Sequence, residues 1–228
     1  MSINLGFVKY LLYPSFIFIG LVMNSADANT LQIVAIEQTD YQSVLKNKAR
    51  PVSFPLSVED KALIQSMETK LQHLGGVGLA APQINVAKQI IAIYIPEEAG
   101  LLRDNVTSYP MHVLINPSYT PKANAKTVYD FESCYSVNSK SGKVPRYNEI
   151  DYHYYDVEGV YHSSSADGFY ARVLQHEIDH INGILIIDRL TPDCIQGTPQ
   201  EMMVLRRAEL PDEKKVLFDQ VMEKKLKK

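Results

Sequence analysis

Leu63, Met67, Leu71 and Leu74 recur at helical spacing, which lays an apolar stripe along one face of a helix. Ser57 precedes them with Asp60 three residues on, and Gly75 follows Leu74. This is the arrangement of an N-cap with an acidic partner and a C-terminal glycine stop. The spacing predicts a helix from just after Ser57 to about Leu74, then a loop over 76–83 with two glycines and a proline. Residues 88–95 read as a strand ended by Pro96, and 111–115 as another ended at Asn116-Pro117. Residues 128–137 fit a further strand.

Residues 144–157 read as one long strand, with Ile150, Tyr152 and Tyr154 alternating against Asp151, His153 and Tyr155. Glu158-Gly159 is the expected turn into a hairpin partner over 160–164. Ser165 to Asp167 then supply N-cap residues for a second helix through about Asn182, with Gly183 as its stop. Residues 184–187 form a short apolar strand in this reading. After Pro192 the chain is polar, with a helical pattern broken near Pro211 and a lysine-rich end. Residues 29–50 carry no clear pattern. Helix, strands, helix and strand do not alternate as βαβ units would, so the expected class is α+β.

The first thirty residues differ from the rest. No charge appears between Lys9 and Asp27, residues 10–23 are almost wholly apolar, and Ala26-Asp27-Ala28 has the small-x-small form of a signal-peptidase site. The run is short for a full span and Pro14 interrupts it. Residues 1–28 therefore read as a signal peptide cleaved before Asn29, or as an N-terminal anchor. Residues 29–228 read as a single domain with a polar C-terminal tail from about 192.

Composition narrows the class. A hydrophobic fraction of 46% and a charged fraction of 21% in 228 residues describe a globular chain, neither disordered nor built of many spans. A net charge of -3 leaves no basic footprint for nucleic acid. Two cysteines, Cys134 and Cys194, make no disulfide framework. The 14 tyrosines fall mostly in strand patterns, which favour aromatics. Lys214, Lys215, Lys224, Lys225, Lys227 and Lys228 alternate with acids, as on a solvated helical face.

The chemical signal is Gln175-His176-Glu177-Ile178-Asp179-His180. Histidines at i and i+4 lie one turn apart on one face, so both rings can reach a single metal. Glu177 is then placed to contact a water on that metal. The bland alternative is an exposed helix with incidental histidines. Against it, Phe169 and Val173 share the face of His176 and His180, while Leu174, Ile178 and Ile181 line a second face. A helix apolar on two sides is buried, and buried histidines need partners. A zinc endopeptidase has the same helix and predicts a third His or Glu beyond it.

Three segments in order, Gly76 to Gln83, Glu132-Ser133-Cys134-Tyr135-Ser136 and Gln175 to His180, resemble the signature motifs of the peptide deformylases. The likeness runs from about Val52 to Leu190; Val144-Pro145-Arg146 and Asn182-Gly183 also stand where the family has similar residues. It implies antiparallel β-sheets packed around a central helix that bears the HExxH histidines. It implies Cys134 as the third ligand beside His176 and His180, although a free buried cysteine is more often structural. The implied ion is Fe(II), with zinc, nickel or cobalt as substitutes. The implied reaction removes the formyl group from N-formylmethionyl peptides or nascent proteins. Glu177 serves as acid–base, and the Gln83 amide and the Tyr135 backbone N–H serve as oxyanion donors. The peptide would lie between Val77-Gly78 and Ser133, its first side chain against Phe169, Val173 and His176. Arg146 would steady the loop or the substrate backbone, or be an ordinary surface charge.

Ser133 and Tyr135 depart from the family, which carries glycine and leucine there. The serine limits the backbone and brings a hydroxyl near the cleft; the tyrosine adds bulk at its mouth. A changed substrate range or turnover is expected. The second rival is a formyl-peptide-binding or metal-storing relative without catalysis, against which the full set of ligands and Glu177 stands. The apolar N-terminus points to export, to the periplasm or outside the cell, whereas the family works in the cytoplasm. A monomer is expected, with membrane contact only through an uncleaved N-terminal segment.

Overall fold

A computed structural model describes residues 31–103 and 106–226. The leader expected over 1–28 lies outside the described residues. A 3-10 turn at Thr39–Tyr41 opens into the short helix α1 (Gln42–Lys46). Next comes α2 (Val58–Leu74), where the Ser57 hydroxyl accepts the Asp60 amide at 3.1 Å. Gly75, at φ 63°, closes the helix in the left-handed conformation that glycine adopts without strain. The chain continues through β1 (Gly78–Ala80), a 3-10 turn (Ala81–Ile84), β2 (Ile90–Ile95), α3 (Ala99–Leu102) and β3 (Tyr109–Pro121). Then follow β4 (Thr127–Cys134), β5 (Val137–Tyr147), β6 (Glu149–Tyr155), β7 (Tyr161–Asp167) and the histidine-bearing α4 (Gly168–Ile181). The order ends with α5 (Ile186–Arg189), β8 (Gln196–Gly197), α6 (Pro199–Glu209) and α7 (Asp212–Leu226).

The strands form two antiparallel sheets, ordered β1-β2-β3-β6-β7 and β4-β5-β8. Helix α4 touches strands of both, the central position expected for the HExxH helix. Ile91, Ile93 and Leu114 on one face of the larger sheet pack against Leu174, Ile178 and Ile181 of α4. Ile90, Ala92 and Ile115 on the other face meet Ile64, Met67 and Leu71 of α2. A sheet covered on both sides explains why β2 is an unbroken apolar run rather than an alternation. Each of these isoleucine, leucine and methionine side chains stabilises the fold by about 1.5–3 kcal/mol through burial. Among the described residues no helix is long and apolar enough to cross a membrane, and both cysteines are free and buried.

Several elements differ from the sequence reading. The strand expected to stop at Asn116-Pro117 runs on to Pro121 as β3. Asn116 takes φ 51°, and the register shifts between Ile115 and Ser118. Its side chain binds the Val52 amide and carbonyl at 2.8 and 2.9 Å, so a bulge absorbs the proline that would otherwise break the ladder. The long strand over 144–157 is two strands in different sheets, β5 ending at Tyr147 and β6 beginning at Glu149. The strand over 128–137 ends at Cys134, and Val137 already belongs to β5. Residues 184–187 do not form a strand: α5 begins at Ile186, and the Asp188 carboxylate accepts the Leu185 amide at 2.8 Å. Four apolar residues carry no period, so the local cap decides. The polar C-terminal stretch does break at Pro211, into α6 and α7, and it buries Met202 and Phe218.

Candidate metal centre and its cleft

Strand β7 passes into α4 without a loop, Gly168 turning the chain at φ 54°. That fixes the rotation of α4 and directs one turn, His176 to His180, toward the β4–β5 hairpin. The hairpin reverses over Tyr135 and Ser136, directly after Cys134. Ligand atoms of Cys134, His176 and His180 consequently lie within 4.8 Å of one another. Cys134 Sγ is 3.2 Å from His180 Nε2, and the two imidazoles meet edge to face with centroids 5.1 Å apart. The Ser136 amide and Gln83 Nε2 also face the sulfur, at 3.4 and 3.8 Å. Gln83 is held in turn by the Ala80 amide, which donates to its Oε1 at 2.8 Å.

Behind the ligands lies a buried ionic network. Glu132 accepts His176 Nδ1 at 2.9 Å, Arg172 Nη1 at 2.7 Å and both Arg146 Nε and Nη2 at 3.0 and 2.9 Å. Arg146 also reaches Asp179, which binds Arg189 Nε at 2.9 Å. Burial opposes ionisation of Glu132, but Arg146 and His176 hold its carboxyl far below the usual range. With its Nδ1 on Glu132, His176 is free to offer Nε2 to an ion.

Glu177 is only 4% exposed, and its Oε2 has no hydrogen-bond partner among the described residues. Burial, the largest cause, pushes it up to about 7. Burial likewise drives His180 well below the usual imidazole value, whereas contacts with Cys134 and Glu132 override burial and hold His176 well above it. The sulfur and one nitrogen of each imidazole converge within 4.8 Å, and the other nitrogen of His176 is held by a carboxylate. The donor set therefore fits a divalent metal, and a cation there lowers the Glu177 pKa in turn.

A cleft of about 560 Å³ opens over these groups, and Val77, Gly78, Gln83, Ser133, Cys134, Tyr135, Phe169, Val173, His176 and Glu177 all line it. His180 lies beneath, 1% exposed. Arg146 does not reach the cleft: at 3% exposure it is spent on Glu132 and Asp179, so it is neither a substrate contact nor a surface charge. The Ser133 hydroxyl accepts Ser141 Oγ at 2.9 Å. The Tyr135 ring lies over Gly76, where a Cβ would come within 2.9 Å, and its hydroxyl donates to Leu74 O at 3.3 Å.

The family model for polypeptide deformylases matches residues 31–195. This chain belongs to the peptide deformylase family. It is 38% identical over 188 residues to peptide deformylase 2 of Rickettsia conorii, covering 81% of this chain and 92% of that one. It is 39% identical to the peptide deformylase of Latilactobacillus sakei, covering 71% and 92%. Among solved structures, a Met-Ala-Ser-bound class I type b peptide deformylase from Acinetobacter baumannii superposes with a TM-score of 0.61 at 27% identity, covering 70% of this chain and 98% of that one. An actinonin complex of a peptide deformylase from Synechococcus elongatus gives 0.59 at 30% identity, covering 72% and 80%.

Some residues of the deformylase cleft were not singled out from the sequence. Glu132 opens the motif around Cys134 but was given no role, and Arg172 has no local pattern of its own; only their burial beside His176 reveals that they support it. Met202, Arg206 and Phe218 enter the cleft from α6 and α7, beyond the matched segment. Gly78 is the remaining positional demand, because a methyl group there would overlap the Glu177 carboxylate. Gly78→Ala is expected to keep the fold and the metal but lower turnover by roughly 10²-fold, since small displacements of a catalytic group cost about that much. Circular dichroism with a formate-release assay checks it, and undiminished turnover would contradict the placement of Glu177.

Proposed function

We propose that this deformylase removes the N-formyl group from N-formylmethionyl peptides or proteins, releasing formate and a free N-terminus. The observation that carries the reading is the meeting of Cys134, His176 and His180 in one cluster, with the unpartnered Glu177 carboxylate beside them on the cleft wall. Those three residues would hold one divalent ion, whose Lewis acidity makes water nucleophilic near neutral pH and polarises the formyl carbonyl. Fe(II) is the ion we favour, with zinc, nickel or cobalt as substitutes. A thiolate with two imidazoles suits all four.

Glu177 accepts the proton of the attacking water and returns it to the departing amine nitrogen as the C–N bond breaks. The Gln83 side-chain amide and the Tyr135 backbone N–H would donate to the oxyanion that develops on the formyl group. Two strand edges support the binding mode. β1 ends the five-stranded sheet and β4 ends the three-stranded one, and Val77, Gly78 and Ser133 line the cleft between them. An extended peptide added there finds backbone partners on both sides. Its first side chain would enter between Phe169, Val173 and the His176 ring. Cys134 occupies the position for which the endopeptidase reading needs a further His or Glu. Among the described residues no other His, Cys, Asp or Glu cluster could hold a metal.

The test is formate release from formyl-Met-Ala-Ser. Chelated protein should release essentially none, and addition of Fe(II) should restore turnover; metallated protein that releases no formate would refute the reading.

A further inference from the structure

The helices beyond the family match close the far side of the cleft. Met202, Met203, Phe218 and Met222 give it an apolar wall, with Phe218 only 2% exposed. One cation interrupts that wall. Arg206 lines both the cleft and an adjoining cavity of about 430 Å³, and its guanidinium carbon stands 6.0 Å from the Phe218 ring centroid. It makes no hydrogen bond or ion pair among the described residues, whereas the acids around it are already matched. Asp130 is held by Arg103, Glu209 by Lys143 at 2.8 Å, and Glu132 by Arg146 and Arg172. Two further acids line the cleft: Glu177 lies beside the metal cluster, and Glu98 is exposed and pairs with no cation among the described residues.

Arg103 lies nearby, its guanidinium carbon 4.5 Å from the Phe169 ring centroid. Burial first, and then the charge of Arg103, press Arg206 down to about 10. A half-buried guanidinium beside a second one, whose counter-charge Asp130 is already bound to Arg103, gains when a ligand supplies a further anion. The cleft connects this position to the catalytic groups, and its volume is in the range that holds small ligands. A tripeptide, extended, spans roughly 10 Å.

We propose that Arg206 is a specificity residue that binds a carboxylate of the peptide downstream of its formylmethionine. The carboxylate is either the free C-terminus of a short formyl peptide or an acidic side chain. Such a contact is bidentate and charge-assisted, and it forms where water is partly excluded. The helical pair α6–α7 thereby directs the enzyme toward anionic formyl peptides. This proposal rests on the deformylase reading of the same cleft.

The experiment compares formyl-Met-Ala-Ser, its C-terminal amide and formyl-Met-Ala-Asp amide on the Fe(II)-loaded full chain. At low salt, kcat/KM for at least one carboxylate-bearing peptide should exceed that of the neutral amide by about tenfold, as one charge-assisted contact provides. Rising salt should shrink the difference. Arg206→Met should bring the ratio to about one, and Arg206→Lys should keep part of it. Preference for the free acid alone identifies the terminus as the ligand; preference for the aspartyl amide alone identifies a side chain. Equal rates on all three peptides, or a preference that survives Arg206→Met, would overturn the proposal. If no peptide is deformylated, calorimetry with Met-Ala-Ser, its amide and Met-Ala-Asp amide separates the two readings. Tighter binding of either carboxylate-bearing peptide that Arg206→Met abolishes supports the subsite although the reaction fails, and equal binding of all three overturns it.

Discussion

Glu177→Gln should retain the metal content of the parent protein while formate release falls by about 10³-fold. General acid–base groups typically contribute 10²–10⁴-fold, and this one is asked to take a proton and give it back. Glutamine keeps the shape of the side chain and the packing against Gly78, so the loss isolates proton transfer from positioning. Cys134, His176 and His180 form the donor cluster without Glu177, which is why metal content and turnover should separate. Elemental analysis alongside single-turnover assays reads both. Metal lost in step with activity would make Glu177 a ligand and remove it as the acid–base.

Glu132→Gln should be the most damaging substitution for stability, lowering it by about 3–5 kcal/mol. It should also weaken metal binding by about 10–100-fold. Glu132 is the common anion of Arg146, Arg172 and His176, with its side chain 7% exposed and those of the two arginines 2% and 6%. The amide leaves two buried guanidiniums short of charge and offers His176 Nδ1 a weaker acceptor. Asp179 still serves Arg146, so the network does not lose every anion and some folded protein should remain. Denaturant melts and metal titration measure the two effects. A stable variant with full metal affinity would show that the network does not position His176.

The local signals in the chain proved legible wherever the deciding contacts are near in sequence. The cap at Ser57 and the stop at Gly75 bound α2 as expected, and Gly183, at φ 75°, follows the end of α4. The HExxH spacing sets both histidines on one side of a helix by geometry alone, and two covered faces of that helix follow from its apolar positions. Those regularities, with the ordered motifs around Gln83, Cys134 and His176, were enough for the α+β class and the reaction, and they named the three residues whose ligand atoms cluster.

What the tertiary structure decided depends on partners far along the chain. The alternation over 150–155 does not show that Asn148 separates two sheets, because nothing local at Asn148 ends a strand and only the pairing of β5 with β4 and of β6 with β3 distinguishes them. Arg146 reads as a charge in a strand; it becomes a buried staple because Glu132 and Asp179 approach it from 14 and 33 residues away. The polar stretch after Pro192 hides a wall of the cleft, since only Met202 and Phe218 need to be buried for α6 and α7 to dock. Amino-acid order by itself determined which atoms can ligate and which helix carries them. Long-range packing decided what surrounds them, because burial and charge pairing belong to the neighbours a residue acquires in space.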